Sequence, residues 1–202
     1  MTFSPNSLSL AVAAGYKSLP QQVTLTNTLS SAIGITSIVV SGGAFAQTNT
    51  CGTSVPAMGT CTISVTFSAA AAQSYSGSIT VTDTQEGLTV KEAPITLTGA
   101  GEAQVSLYPS WINISFTGEW GGSGNATLTN NLPTTLNNIS LSPGSGFYIG
   151  GTTCGTSLPA SASCTINVGT GPGPAASWCS NLVVSDSANN SPQSINVCAA
   201  GW

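Results

Sequence analysis

The sequence predicts an all-β protein built as two tandem, disulfide-stapled β-sandwich domains. Three observations predict it. Long stretches of the first half return in the second half in the same order, apolar residues alternate with polar ones over short runs, and six cysteines sit at regular places.

The repeat sets the domains. Val23-Thr-Leu-Thr-Asn27 returns as Ala126-Thr-Leu-Thr-Asn130, and Cys51-Gly-Thr-Ser-Val-Pro-Ala-Met-Gly-Thr-Cys61 returns as Cys154-Gly-Thr-Ser-Leu-Pro-Ala-Ser-Ala-Ser-Cys164, both at a spacing of 103 residues. Ile63 then matches Ile166, Val65 matches Val168, Tyr75 matches Trp178 and Asp83 matches Asp186 at the same spacing. The last strand realigns at 100, with Ile95 on Ile195, so the final turn of the second copy is three residues shorter. Domains are expected over 1–101 and 102–202, joined by the short junction Gly99–Ala103, which predicts limited freedom between them.

Each copy reads as strand throughout. Val23-Thr-Leu-Thr, Ile63-Ser-Val-Thr-Phe67 and Ile79-Thr-Val-Thr82 alternate with period two, the pattern of a sheet with one buried and one wet face. Gly, Pro, Asn, Ser and Thr fill the intervals. The runs predict strands at 7–12, 21–27, 33–41, 61–67, 75–83 and 93–98, with a weaker one at 44–48. About seven strands in about one hundred residues is the count of an immunoglobulin-like sandwich.

The order of these segments is distinctive. A Phe3-Ser-Pro-x-Ser-Leu8 opening precedes the Val23–Asn27 strand and Ile35-Thr-Ser-Ile. Then come the Phe45–Phe67 segment with its cysteine pair, Tyr75-Ser-Gly-Ser-Ile-Thr-Val-Thr-Asp83, and a closing Ile95-Thr-Leu-Thr-Gly-Ala-Gly101. This resembles the bacterial ASPM-SPD-2-Hydin (ASH)-like and choice-of-anchor D repeats. The resemblance implies immunoglobulin-like modules strung in arrays on exported and cell-surface proteins, with no shared catalytic residues. The second copy departs from it at Leu107–Trp111 and at Gly169–Pro174.

Cys51 with Cys61, and Cys154 with Cys164, each close a loop of identical spacing, which predicts a bond within each copy. Cys179 and Cys198 are a coordinated addition, since Ser76 and Thr98 stand at their places in copy one, and they are expected to pair with each other. Three disulfides imply an oxidising, extracellular or cell-surface setting. The competing reading, redox or metal chemistry, lacks a basic neighbour to lower a thiol pKa, and neither His nor a CxxC spacing is present, so no metal and no cofactor are expected. The opening MTFSPNSLSL has no basic n-region and no apolar h-region, so Met1 is expected to be a fragment edge or an artificial start.

Composition narrows function further. Only 4% of residues are charged, with two basic residues against six acidic ones, where a soluble domain carries roughly 25%. The apolar runs are too short for a membrane helix, so no membrane span is expected. Without Arg, and with only Lys17 and Lys91, the chain cannot neutralise a phosphate backbone, which excludes nucleic acid. Absent His rules out a Ser-His-Asp or Cys-His site, and no enzyme is expected. The carboxylates are Asp83, Glu86, Glu92, Glu102, Glu119 and Asp186. Asp83 and Asp186 are read as turn-capping groups at strand ends. A lysine isopeptide cross-link would need Lys17 or Lys91 buried beside an acid.

Candidate contact residues lie in the second copy: Trp111, Trp120 and Trp202, whereas Trp178, at the place of Tyr75, is expected in the core. Alternation in Trp111-Ile-Asn-Ile-Ser-Phe116 turns Ile112, Ile114 and Phe116 inward and Trp111 outward. An outward Trp covers the seam between domains or a sheet edge, contacts another subunit, or stacks on a sugar. Asn113, Asn125, Asn138 and Asn189 fit the N-glycosylation pattern. The expected function is a non-catalytic extracellular structural module, a subunit of a cell-surface or filamentous assembly whose partners are copies of itself or neighbouring repeats. The alternative is an adhesin or carbohydrate-binding accessory module that uses the exposed Trp residues.

Overall fold

The computed structural model describes residues 1–117, 119–173 and 176–201. The chain forms two compact units, Met1–Glu102 and Ala103–Trp202. The described residues are strand, turn and loop, and no helix is long and apolar enough to cross a membrane.

The first unit comprises β1 (Thr2–Ser4), β2 (Ser7–Ala13), β3 (Gln21–Thr26), β4 (Ile33–Ser41), β5 (Phe45–Asn49), β6 (Ser54–Val55), β7 (Thr60–Phe67), β8 (Ser74–Gln85), β9 (Leu88–Lys91) and β10 (Ile95–Glu102). One sheet runs β1-β3-β7-β5 and the other β2-β10-β8-β4-β6, with β9 folded back on β8. Pairing is antiparallel except between β2 and β10, the first and last long strands, which run parallel. The second unit repeats this plan with β11 (Val105–Tyr108), β12 (Trp111–Phe116), β13 (Gly122–Asn130), β14 (Leu136–Asn137), β15 (Ser140–Ser142), β16 (Tyr148–Thr152), β17 (Ser157–Leu158), β18 (Ser163–Thr170), β19 (Ser177–Ser185) and β20 (Gln193–Gly201). Its sheets are β11-β13-β18-β16 and β12-β20-β19-β15, with β14 and β17 as a separate pair and β12 again parallel to β20. Each unit is thus an immunoglobulin-like sandwich of two facing sheets.

The period-two runs supply the core. Val23 and Leu25 of β3 and Ile63, Val65 and Phe67 of β7 face Leu8, Leu10, Ile79, Val81, Ile95 and Leu97 of the other sheet, all buried. Ala126, Leu128, Ile166 and Val168 face Ile112, Ile114, Leu182, Val184, Ile195 and Val197 in the second unit. Burying one such large aliphatic side chain stabilises by about 1.5–3 kcal/mol. The intervening Thr, Ser and Asn stay wet.

The aromatic end of each core differs. In the first unit the Phe67 ring lies 5.1 Å from Phe45 and 5.3 Å from Tyr75. The matching residue of β18 is Thr170, and the second unit supplies its ring from another strand: Phe116 of β12 lies 5.1 Å from Trp178. Trp178 therefore packs inward, over the core end. A glycine makes room in each case, since a Cβ on Gly99 would come within 2.4 Å of Phe67, and one on Gly201 within 2.4 Å of Phe116.

One buried asparagine closes each unit. Asn27 and Asn130, the last residues of the repeated Thr-Leu-Thr-Asn motif, are fully buried. The Asn27 amide donates to the carbonyls of Ser31, Val55 and Pro56 at 2.8, 3.2 and 2.8 Å, and its Oδ1 accepts from Leu29 N–H at 2.9 Å. Asn130 does the same with Thr134, Leu158, Pro159 and Leu132 at 2.9, 3.1, 2.8 and 3.0 Å. Each ties the turn after its own strand to the cysteine-bounded loop. Val55 and Leu158, in those loops, plug the core.

Two local readings of the sequence need correction. The strand expected at 75–83 extends to Gln85 and returns through β9, because Glu86 and Gly87 take left-handed conformations (φ 50° and 82°) that suit a tight hairpin. Asp83 is consequently a buried mid-strand residue, not a turn cap. Gln85 Nε2 donates to its Oδ2 at 2.7 Å, and among the described residues its Oδ1 has no hydrogen-bond partner. Asp186 keeps the capping role, accepting from Ala188 N–H at 2.8 Å, because the second unit lacks this hairpin and its turn follows at once.

Candidate interaction face

The structure joins Cys51 to Cys61 and Cys154 to Cys164, with Cα atoms 4.9 and 5.0 Å apart, so each bond closes the loop that leaves one sheet, touches β4 or β14, and returns. Cys179 and Cys198 face each other directly across β19 and β20, 4.1 Å apart at Cα, and are also joined. That third bond lies on the outer face of the sheet, where Cys179 is exposed.

Residues opposite one another in a ladder share a face, so the registers build that face row by row. In the second unit the rows across β12, β20 and β19 are Trp111–Asn196–Asn181, then Asn113–Cys198–Cys179, then Ser115–Ala200–Ser177. The same nine positions of the first unit are Ser7–Thr96–Ser78, Ser9–Thr98–Ser76 and Ala11–Ala100–Ser74. One copy presents small hydroxyls and methyls. The other presents an indole, three carboxamides and a disulfide. No ionisable side chain occupies any of these positions.

Side-chain accounting shows what is available there. Trp111 is 58% exposed. Asn113, Asn181 and Asn196 are exposed, and among the described residues none of their amides is hydrogen-bonded within the protein. The Cys198 sulfur approaches Asn196 Oδ1 at 3.7 Å, but a disulfide sulfur carries no hydrogen to donate. Beside Trp111's row the face dips into a hollow of about 400 Å³ lined by Asn113, Ser115, Ser177, Cys179, Cys198 and Ala200. A hollow of about 450 Å³ lies at the same place in the first unit, floored by Ser9, Ser76 and Thr98. The dip therefore belongs to the fold, where small residues face outward, and only its chemistry changes.

The remaining candidates are dispersed. Trp120 is 74% exposed but sits in the turn after β12, its backbone paired with Thr117. Trp202 lies outside the described residues. Of the asparagines in glycosylation patterns, Asn113 is on the face, Asn125 accepts from Asn167 at 2.9 Å, Asn138 takes a left-handed conformation (φ 58°) between β14 and β15, and Asn189 lies in the turn before β20. All four are exposed. Lys17 and Lys91 are both exposed, so neither meets the burial an isopeptide cross-link requires. Sequence reading did not bring the amides of this face together. Alternation marked Asn113 as outward, but only the registers of β19 and β20 bring Asn181 and Asn196 into line with Trp111.

Deleting the third bond gives a direct test of its role. Cys179→Ser with Cys198→Thr installs the residues of the first unit, and the fold is expected to survive with the second unit destabilised by about 3 kcal/mol. Urea unfolding followed by Trp fluorescence reads that unit alone, because all four tryptophans lie in it. An unchanged midpoint would show that the bond adds no stability.

No protein-family model matches the chain, and no curated protein matches it. Solved structures resemble it in fold at low identity. A protein of unknown function from Porphyromonas gingivalis W83 aligns over 98% of both chains at 8% identity with a TM-score of 0.43. The ASH / PapD-like domain 7 of human CEP192 covers 50% of this chain and 84% of its own at 13% identity and a TM-score of 0.41. The periplasmic chaperone SfaE aligns over 97% of this chain and 98% of its own at 12% identity and a TM-score of 0.39.

Proposed function

We propose that the chain is a non-catalytic structural module of an exported assembly, related to the ASH-like and choice-of-anchor D repeats, and that it associates through its sheet edges with copies of itself or with neighbouring repeats. The observation that carries this reading is the chemistry of those edges. β2, β5, β12 and β16 end their sheets, and none contains a charged residue or a proline. Monomeric sheet proteins ordinarily guard such edges with Lys, Pro or a covering segment, because unpaired backbone groups template strand addition. A chain with two basic and six acidic residues also has little net repulsion to oppose contact. The three disulfides fit an oxidising compartment.

Sedimentation velocity across a concentration series, with electron microscopy of the concentrated sample, tests the proposal. Self-association should appear and should bury more than about 1,000 Å² per contact. Ser9→Lys on β2 together with Thr48→Lys on β5 should shift the sample toward monomer. A monodisperse monomer at every concentration, with the lysine variants indistinguishable from it, would count against assembly.

A further inference from the structure

We propose that the outer face of β12, β20 and β19 is a binding platform for a neutral oligosaccharide, with Trp111 stacking on a sugar ring and Asn113, Asn181 and Asn196 reading its hydroxyls. The internal duplication isolates this face. The two units share their sheet order, their buried asparagine and their loop disulfide, yet seven of nine outward positions differ, and six of the seven change in one chemical direction, from small groups to an indole, carboxamides and a cross-link, the seventh being Ala11 against Ser115. Packing does not demand them, since the first unit folds to the same plan without them.

The chemistry selects the ligand. A carboxamide both donates and accepts, which matches a vicinal pair of sugar hydroxyls, and among the described residues no hydrogen-bond donor or acceptor engages the three amides, the disulfide sulfur of Cys198 beside Asn196 having no hydrogen to give. An exposed indole offers a flat apolar surface to the C–H face of a pyranose. Adjacent strands lie about 4.8 Å apart and alternate residues about 6.6 Å apart, so these four side chains span the width of one or two sugar rings. No ionisable group occupies the nine positions, which favours an uncharged ligand over an anionic one. A protein interface of standard size would need a larger apolar core, and this face has one large apolar side chain set among amides and hydroxyls. The Cys179–Cys198 bond ties the two central strands at the middle row, which holds Asn181 and Asn196 in fixed relation and limits the ordering cost of binding.

The test uses the full chain made without glycosylation, titrated with neutral hexasaccharides (cellohexaose, xylohexaose, maltohexaose and chitohexaose) and with polygalacturonate as the anionic comparison. Trp fluorescence and calorimetry read binding, and sedimentation read in parallel reports self-association. At least one neutral sugar should bind saturably. Trp111→Ala should weaken it by roughly 30-fold and Trp111→Phe by less. Asn181→Ala and Asn196→Ala should each cost about 5-fold. Trp120→Ala and Ser7→Ala should change nothing. Because Trp111 is exposed, circular dichroism of its variants should match the wild type. The proposal is overturned if no neutral sugar binds up to roughly 10 mM, if binding survives Trp111→Ala, if only the polyanion binds, or if Trp111→Ala acts on self-association instead. Assembly through the edges fails separately, in the lysine variants of β2 and β5, which leave this face intact.

Discussion

Asn130→Ala is expected to destabilise the second unit by about 3–5 kcal/mol, more than any other change to a polar side chain in it. The side chain occupies a fully buried site and supplies four hydrogen bonds to backbone groups of two different loops. Truncation leaves the carbonyls of Thr134, Leu158 and Pro159 and the N–H of Leu132 without it. Each orphaned buried group costs about 1–3 kcal/mol where water cannot enter. Asn130→Asp discriminates the mechanism from mere loss of volume. It keeps the shape and the acceptor for Leu132 but sets a carboxylate oxygen against three carbonyls, so it should be at least as damaging as Ala. The midpoint of urea unfolding, read by Trp fluorescence, should fall by roughly 2 M or more in both variants. A protein carrying Asn130→Asp that unfolds where the wild type does would show that the amide is not the donor. Asn27→Ala should act alike on the first unit.

Phe67→Ala is expected to cost the first unit about 3–5 kcal/mol, the range for deleting a buried ring whose surroundings cannot collapse. Phe67 is wholly buried between Phe45 and Tyr75, with Gly99 pressed beneath its ring. The second unit suggests a compensated route. It carries Thr170 at this place and fills the space with Phe116 from the facing sheet, at the position of Val12. Phe67→Thr alone should therefore be nearly as damaging as Phe67→Ala, and adding Val12→Phe should recover at least about 1 kcal/mol, a coupling of the size seen between contacting residues. Urea unfolding read by circular dichroism measures both. If the two substitutions simply add, the rings of the two units are not interchangeable fillers.

Both predictions fall on residues that sequence reading treated unevenly. Phe67 was legible as core, since it continues the period-two run from Ile63, and period two in a strand is a statement about which face is buried. Asn27 and Asn130 were legible only as a repeated motif. A polar residue at a strand end reads as wet, and nothing local shows that the chain folds a cysteine-bounded loop over it. Asp83 lies on the buried side of β8 with Ile79 and Val81, and its carboxylate, rather than its place in the alternation, made it read as a turn cap.

What the sequence by itself determined is the local and the repeated: strands from alternation, two copies from the 103-residue spacing, and an export-compatible, cation-poor surface from composition. These follow from residue order alone, because side-chain period and covalent spacing are properties of the chain. What only the tertiary structure decided is which distant residues became neighbours. The registers of β12, β20 and β19 put Trp111, Asn196 and Asn181 in one row, and the exchange of Phe67 for Phe116 works only because the facing sheets meet at that end of the core. Register is set by pairing between strands far apart in sequence, and a slip of one residue would turn every one of those side chains to the opposite face.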